Sequence, residues 1–409
     1  MTQQQALKIL QSGKNVFLTG EPGSGKTYTV NLFTEWLREQ HIPYAITAST
    51  GIAATHINGR TIHSWAGIGV KERLTDWEIQ SIINKPWIAK NMRARVLIID
   101  EISMLHGNTL DLVEEVIQEA KSEGLNKKAW GGMQVVFVGD FFQLPPVSKG
   151  KPIKFAFESF AWQNAGMTAC YLTEQHRQED GKFLEILTAM RQGKLTQAHK
   201  NRLNKCKTNA IPKTRLFTHN LEVDHLNNEE LMKVDGEEKE YTMECSGVPA
   251  LVEVLKKQCL SPERLVLRVG ATVMFTRNNH DGDYSNGTLG TVIGYNEIDE
   301  RPIVELKDGT QITVGYAEWS IEDTAAIVSQ IPLKLAWAVT VHKSQGMSLD
   351  EASMDLSKCF IEGQGYVALS RVRSLAGIHL EGINDMAFAM HPKVVEQDKI
   401  FREMSEHEQ

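Results

Sequence analysis

The chain has 409 residues, 42% of them apolar, and a formal net charge of −7. That length exceeds what one hydrophobic core serves and points to two or three domains. No run is long and apolar enough to cross a bilayer, and the opening Met1-Thr2-Gln3-Gln4-Gln5 lacks the features of a signal peptide, so a cytosolic protein with no membrane partner is expected. The negative balance argues against a protein that coats duplex DNA, although a narrow groove needs only local basic and stacking groups. Five scattered cysteines (Cys170, Cys206, Cys245, Cys259 and Cys359) suit neither a disulfide framework nor a zinc site, and read as reduced, mostly buried thiols.

From residue 15 to about 166, short apolar runs alternate with longer segments of helical period, the pattern of a mostly parallel sheet covered by helices. Val16-Phe17-Leu18, Val96-Leu97-Ile98-Ile99 and Val135-Val136-Phe137-Val138 are its expected central strands. Directly after the first comes Gly20-Glu21-Pro22-Gly23-Ser24-Gly25-Lys26-Thr27, a phosphate-binding loop in the required context of a strand before and a helix after. Its glycines let backbone N–H groups face phosphate oxygens, and the helix start adds partial positive charge. Lys26 reaches the β and γ phosphates of ATP, and the Thr27 hydroxyl is a ligand for Mg²⁺.

Residues 67–91, with Trp77, Trp87 and a Lys85-Pro86 break, interrupt the alternation as a small insertion. The next strand runs into Asp100-Glu101. Carboxylates at the end of a parallel strand beside a phosphate loop suit two tasks: Asp100 holds the Mg²⁺ shell and Glu101 orients or deprotonates the attacking water. Segment 105–121 carries Leu110, Val113 and Ile117 at helical spacing. The third strand ends in Gly139-Asp140-Phe141-Phe142-Gln143-Leu144-Pro145-Pro146, which places the Gln143 amide to report on the γ phosphate.

A second alternating region begins near Tyr171. Between about 265 and 314 it turns β-rich, with Asn286-Gly287 and Asp308-Gly309 as hairpin signals, the pattern of a small barrel. The charged segment from Gln397 onward reads as a surface helix that frays.

Eight blocks in order carry a resemblance: Gly20 to Thr27, Thr47 to Ala54, Gly59 to Gly67, Asp100 to Met104, Gly139 to Val147, Leu172 to Arg177, Val341 to Gly346, and Ala368 to Arg371. Over nearly the whole chain they resemble the Pif (petite integration frequency) family of superfamily-one B-type, RecD-like DNA helicases. The resemblance implies an α/β fold with two RecA-like P-loop NTPase domains. The first would span 1–166 with a wedge insertion at 67–91. The second would span 167–264 and 315–390 with an SH3-like β-barrel insertion at 265–314, followed by a tail at 391–409.

It also implies roles for single residues. Arg177 and Arg371 would be arginine fingers, Gln3 the adenine-reading glutamine, and Tyr28, Gln345 and Gly346 further nucleotide contacts. Thr50, Gly51, His63, Ser64, His342, Lys343 and Ser344 would grip DNA without reading its sequence. His106-Gly107 and Ala129-Trp130 depart from the family pattern and bear on subfamily, not on the ATPase core.

The implied activity is an ATP-dependent, 5′ to 3′ DNA helicase working as a monomer on single-stranded and on tailed or forked duplex DNA, in replication, recombination or repair. A rival reading keeps the same ATP residues in a DNA-stimulated ATPase that switches a partner without unwinding. That rival needs no wedge; in the helicase reading the insertion at 67–91 is either the wedge or a loop that merely covers the sheet. The barrel either covers the DNA channel or binds a peptide.

Overall fold

The computed structural model describes residues 1–56, 60–69, 71–122, 127–148, 152–175, 180–207, 214–218, 220–277, 279, 283–284, 287–320, 325–341, 344–345 and 349–408. The chain divides into two compact units, one of Met1–His199, Phe360–Ser370 and Asp385–Gln409, the other of Lys200–Cys359 and Arg371–Asn384.

The first unit is built on six parallel strands: β1 (Val16–Gly20), β2 (Tyr44–Ala48), β3 (Arg60–Thr61), β4 (Val96–Asp100), β5 (Gln134–Val138) and β6 (Thr168–Leu172). They lie in the order β3-β2-β4-β5-β1-β6. The three runs expected to be central strands are indeed adjacent near its middle. They are continuous apolar runs, not alternating ones, because helices cover both faces of a parallel sheet and no position faces water. Val16, Leu18, Ile98, Val136 and Cys170 form one core with Leu10 of α1 (Gln3–Gln11) and Phe33 and Leu37 of α2 (Lys26–Glu39).

After β2 and β3 come α3 (Gly51–His56) and α4 (Ile62–Ala66). The insertion folds into α5 (Asp76–Ile83) and α6 (Pro86–Asn91); Thr75 and Glu78 close a capping box at the start of α5, and Pro86 opens α6. Ile79, Ile82 and Ile88 turn inward, whereas the Trp77 side chain is left 77% exposed. Segment 105–121 is helical as its spacing predicts: in α7 (Gly107–Lys121), Leu110, Val113 and Ile117 are fully buried.

The expectation of a fraying helix from Gln397 onward is corrected. Helix Pro392–His407 packs along β6 with Val394, Phe401 and Ser405 buried. The Phe401 ring lies 4.7 Å from Phe17 and 6.1 Å from Phe141, and Ser405 Oγ accepts the Tyr171 N–H. The abundant charge of the segment masks this inward face.

The second unit holds a parallel sheet in the order Ala338–Thr340, Arg215–Phe217, Ala352–Leu356, Ile378–Ile383. A five-stranded sheet with antiparallel pairing joins Gln311–Thr313, Pro302–Leu306, Leu289–Tyr295, Thr272–Phe275 and Leu333–Leu335 around Val273, Phe275, Val292 and Val304. Asp308-Gly309 makes the expected turn, with Gly309 N–H returning to Leu306 O; Asn286 of the other turn signal lies outside the described residues. Among the described residues no helix is long and apolar enough to cross a membrane.

Candidate active site

The phosphate loop occupies the expected junction, β1 ending at Gly20 and α2 beginning at Lys26. Gly25 caps the helix in the left-handed region, φ 86°, which glycine alone enters without cost. A side chain there would also collide, since a Cβ would sit 1.9 Å from Gln3 Nε2. Lys26 Nζ donates to the carbonyls of Gly20 (2.8 Å) and Glu21 (3.0 Å), folding back over the loop. Ser24 Oγ is buried without a hydrogen-bond partner, and Pro22 is buried beside it. Gly23 adopts φ 87°. Thr27 and Tyr28, in the first turn of α2, are exposed.

Of the three N-terminal glutamines, the fold sets Gln3 against this loop. Its amide donates to Ser24 O at 3.2 Å and its backbone N–H to Glu174 Oε2 at 2.7 Å. The Thr2–Gln5 capping box fixes the first turn of α1 and hence this placement.

Asp100 closes β4. Its Oδ1 accepts the Glu101 N–H at 2.8 Å. Burial pushes the Asp100 carboxyl above the usual carboxylate range, while the Glu101 N–H and the charge of Lys26 pull it back. Glu101 itself sits at φ 51°, ψ 45°, a left-handed conformation that is costly for a residue with a Cβ and is a form of strain concentrated at functional sites.

Strand order sorts the remaining candidates. The candidate nucleotide residues of the phosphate loop, Asp100-Glu101 and Gln143 lie at the ends of β1, β4 and β5, whereas Thr50 and Gly51 follow β2, and His63 and Ser64 lie in α4 directly after β3. Thr50 Oγ1 accepts the Ala53 N–H at 3.2 Å and Thr61 Oγ1 the Ser64 N–H at 3.2 Å, so hydroxyls fix both helix starts. Burial holds the His63 pKa below its ordinary value and favours the neutral imidazole.

Gln143 is buried after β5, its N–H donating to Asp140 O. Next to it lies a residue that sequence reasoning missed. Arg191, at the end of helix Gly181–Arg191, is fully buried. Its Nη1 donates to Asp140 Oδ2 (2.6 Å) and Tyr366 Oη (2.9 Å), and its Nη2 to Tyr171 Oη (2.6 Å). The guanidinium covers the Phe142 ring, 4.3 Å from its centroid. In the sequence Arg191 reads only as a cation suited to a helix C-terminus, and no local pattern reveals its partners.

In the second unit Ser344, Gln345 and Arg371 are buried. Arg371 Nη1 donates to Ser344 O at 3.5 Å, and its carbonyl accepts the Leu349 N–H at 2.8 Å. Arg177, His342, Lys343 and Gly346 lie outside the described residues.

Comparison with known proteins gives the family. A family model described as PIF1-like helicase matches residues 2–201, and one described as DNA helicase Pif1, 2B domain matches residues 250–295. An ATP-dependent DNA helicase Pif1 of Psychrobacter sp. is 42% identical, covering 99% of this chain and 71% of that protein. Its counterpart in Bdellovibrio bacteriovorus is 38% identical, covering 98% and 91%. The crystal structure of Pif1 helicase from Candida albicans superposes with a TM-score of 0.81 at 34% identity, covering 97% of this chain and 98% of that one. From its phosphate loop, its acidic strand end and likenesses that span nearly all of its residues, the chain belongs to the PIF1-like helicase family.

Proposed function

We infer that this chain is an ATP-dependent DNA helicase that translocates on single-stranded DNA in the 5′ to 3′ direction and separates tailed or forked duplexes. One observation carries the reading: Lys26, Asp100 and Glu101 stand at the carboxyl ends of the same sheet from which Thr50, Gly51, His63 and Ser64 emerge. ATP chemistry and strand grip therefore share one rigid support. The family relatives' name supplies the substrate class.

Lys26 offsets phosphate charge and Glu101 orients or deprotonates the attacking water. Gln143 responds to the γ phosphate, Gln3 reads the adenine edge, and Tyr28, Gln345 and Gly346 complete the nucleotide contacts. Arg177 and Arg371 meet charge that develops on the phosphoryl oxygens, a role worth about 10³ to 10⁵ in rate in other NTPases. The exposed Thr27 hydroxyl and the Asp100 carboxylate are hard oxygen donors of the kind Mg²⁺ prefers, and the unpartnered Ser24 Oγ beside them suits a polar, phosphate-bearing ligand. Mg²⁺, when held there, neutralises part of the triphosphate charge. Thr50, Gly51, His63, Ser64, His342, Lys343 and Ser344 grip the strand, with His63 acting as a neutral hydrogen-bonding group.

Opening one duplex step costs on average about 1.4 kcal/mol of stacking, and one base stacked on an aromatic side chain recovers about 1–3 kcal/mol. Strand trapping thus nearly balances fork opening, and ATP makes the stepping directional. Trp77 is the aromatic surface best placed for such trapping, since α5 buries Ile79 and Ile82 and presents the indole to solvent. Trp77→Ala is expected to slow unwinding about five- to tenfold and to leave the DNA-stimulated ATPase unchanged. Equal unwinding by variant and wild type would remove Trp77 from the wedge.

The function is tested by ATPase rates with and without single-stranded DNA, then by strand separation on 5′- and 3′-tailed duplexes. Stimulation together with unwinding of the 5′-tailed substrate supports the helicase. Stimulation without unwinding of either would mark a DNA-dependent switch instead.

A further inference from the structure

The Arg191 cluster extends from the phosphate loop to the segment that precedes Arg371, entirely within the first unit. On one side is Glu21 of the loop. Its carboxylate accepts from Thr188 Oγ1 (3.3 Å), three residues before Arg191 on the same helix, and from Gln175 Nε2 (3.2 Å). Arg191 Nε is buried and has no hydrogen-bond partner, yet Glu21 Oε1 lies 3.9 Å away. A shift of the loop by about 1 Å would bring that pair to hydrogen-bond distance.

On the opposite side Arg191 grips Asp140, three residues before Gln143, and Tyr366, five residues before Arg371. Helix Gln364–Leu369, which carries Tyr366, starts hard against the strand end. Its cap, Gly363, has φ 80°, and a Cβ on it would lie 2.6 Å from Phe142 O and 2.7 Å from Gln143 O. The phosphate loop, the Gln143 turn and this helix therefore meet around one planar cation whose fixed fork orients several acceptors at once.

We propose that Arg191 is a positioning residue for ATP hydrolysis, a clamp that registers the phosphate loop through Glu21 and the Gln143 turn through Asp140 with the Tyr366 helix leading to Arg371. The proposal rests on the helicase reading for the roles of Gln143 and Arg371. A change at the nucleotide moves Glu21, completes or breaks the bond at Nε, and is felt by the helix through the same rigid group.

The test compares steady-state ATP hydrolysis and thermal midpoint for Tyr366→Phe, Arg191→Lys and Val394→Ala. Tyr366→Phe removes one hydroxyl; Arg191→Lys keeps the charge and loses the fork; Val394→Ala trims a buried side chain of helix Pro392–His407 and calibrates plain destabilisation. Both cluster variants are expected to lower kcat about tenfold while KM for ATP stays within about twofold. Wild-type kcat in both variants, or an equal kcat loss in Val394→Ala at matched thermal midpoint, would overturn the clamp. The clamp is read on hydrolysis alone and the helicase reading on strand separation, so either can fail without the other.

Discussion

Lys26→Ala is expected to reduce ATP hydrolysis by about 10³-fold and to abolish unwinding, while single-stranded DNA is still bound in the absence of nucleotide. The ammonium is placed by the carbonyls of Gly20 and Glu21, at 2.8 and 3.0 Å, so its position is set by the loop itself. No other described cation takes that place in the loop, and alanine keeps the Cβ and the helix-forming backbone at the start of α2. Lys26→Arg is expected to fail as well: a planar guanidinium is too large to fold back over the loop between two carbonyls. Turnover measured at saturating ATP, beside strand binding by fluorescence anisotropy, separates lost chemistry from lost folding. Retained hydrolysis in Lys26→Ala would show that this loop is not the catalytic one.

Asp140→Ala should destabilise the first unit by about 3–5 kcal/mol, because it strands a buried guanidinium whose partner lay 2.6 Å away. Both side chains are 1% exposed, so solvent screens neither. Tyr171 and Tyr366 offer neutral oxygens that hydrogen-bond Arg191 without offsetting its charge, and the remaining carboxylates, Asp398 at 3.7 Å and Glu21 at 3.9 Å, lie beyond hydrogen-bond distance. The cycle that tests this joins Asp140→Leu to Arg191→Met. Replacing both members of a buried pair by apolar side chains is often nearly neutral. The double variant is therefore expected to recover most of the urea midpoint lost in Asp140→Leu alone while hydrolysing ATP slowly. Full recovery of turnover along with stability would reduce the cluster to a packing element.

Much of the first sheet can be read from residue order alone. Val96-Leu97-Ile98-Ile99 and its fellows are uninterrupted apolar runs because parallel strands face helices on both sides, and the Gly-rich loop and Asp100-Glu101 follow directly on two of them. The placement of Gln3 needed the fold, since only the start of α1 distinguishes it from its two neighbours. Arg191 could not be read at all. Its partners Asp140, Tyr171, Tyr366 and Asp398 are scattered through the chain, and each looks ordinary where it stands. Helix Pro392–His407 misled for a related reason: Phe401 and Ser405 face inward from a segment whose charge suggests a solvated surface. The strand Leu333–Leu335 likewise completes the antiparallel sheet from beyond the β-rich stretch, through pairing that local pattern does not encode.

That returning helix bears on how the polypeptide is made. Phe401 and Asp398 complete a core whose other walls, Phe17 and Arg191, leave the ribosome roughly 200 to 400 residues earlier, and at ordinary elongation speeds of 5–20 residues per second this is a wait of about 10–80 s. Throughout that interval β6 carries an uncovered apolar flank. The nucleotide-binding half of the nascent protein is then a natural client for chaperones until the closing helix arrives.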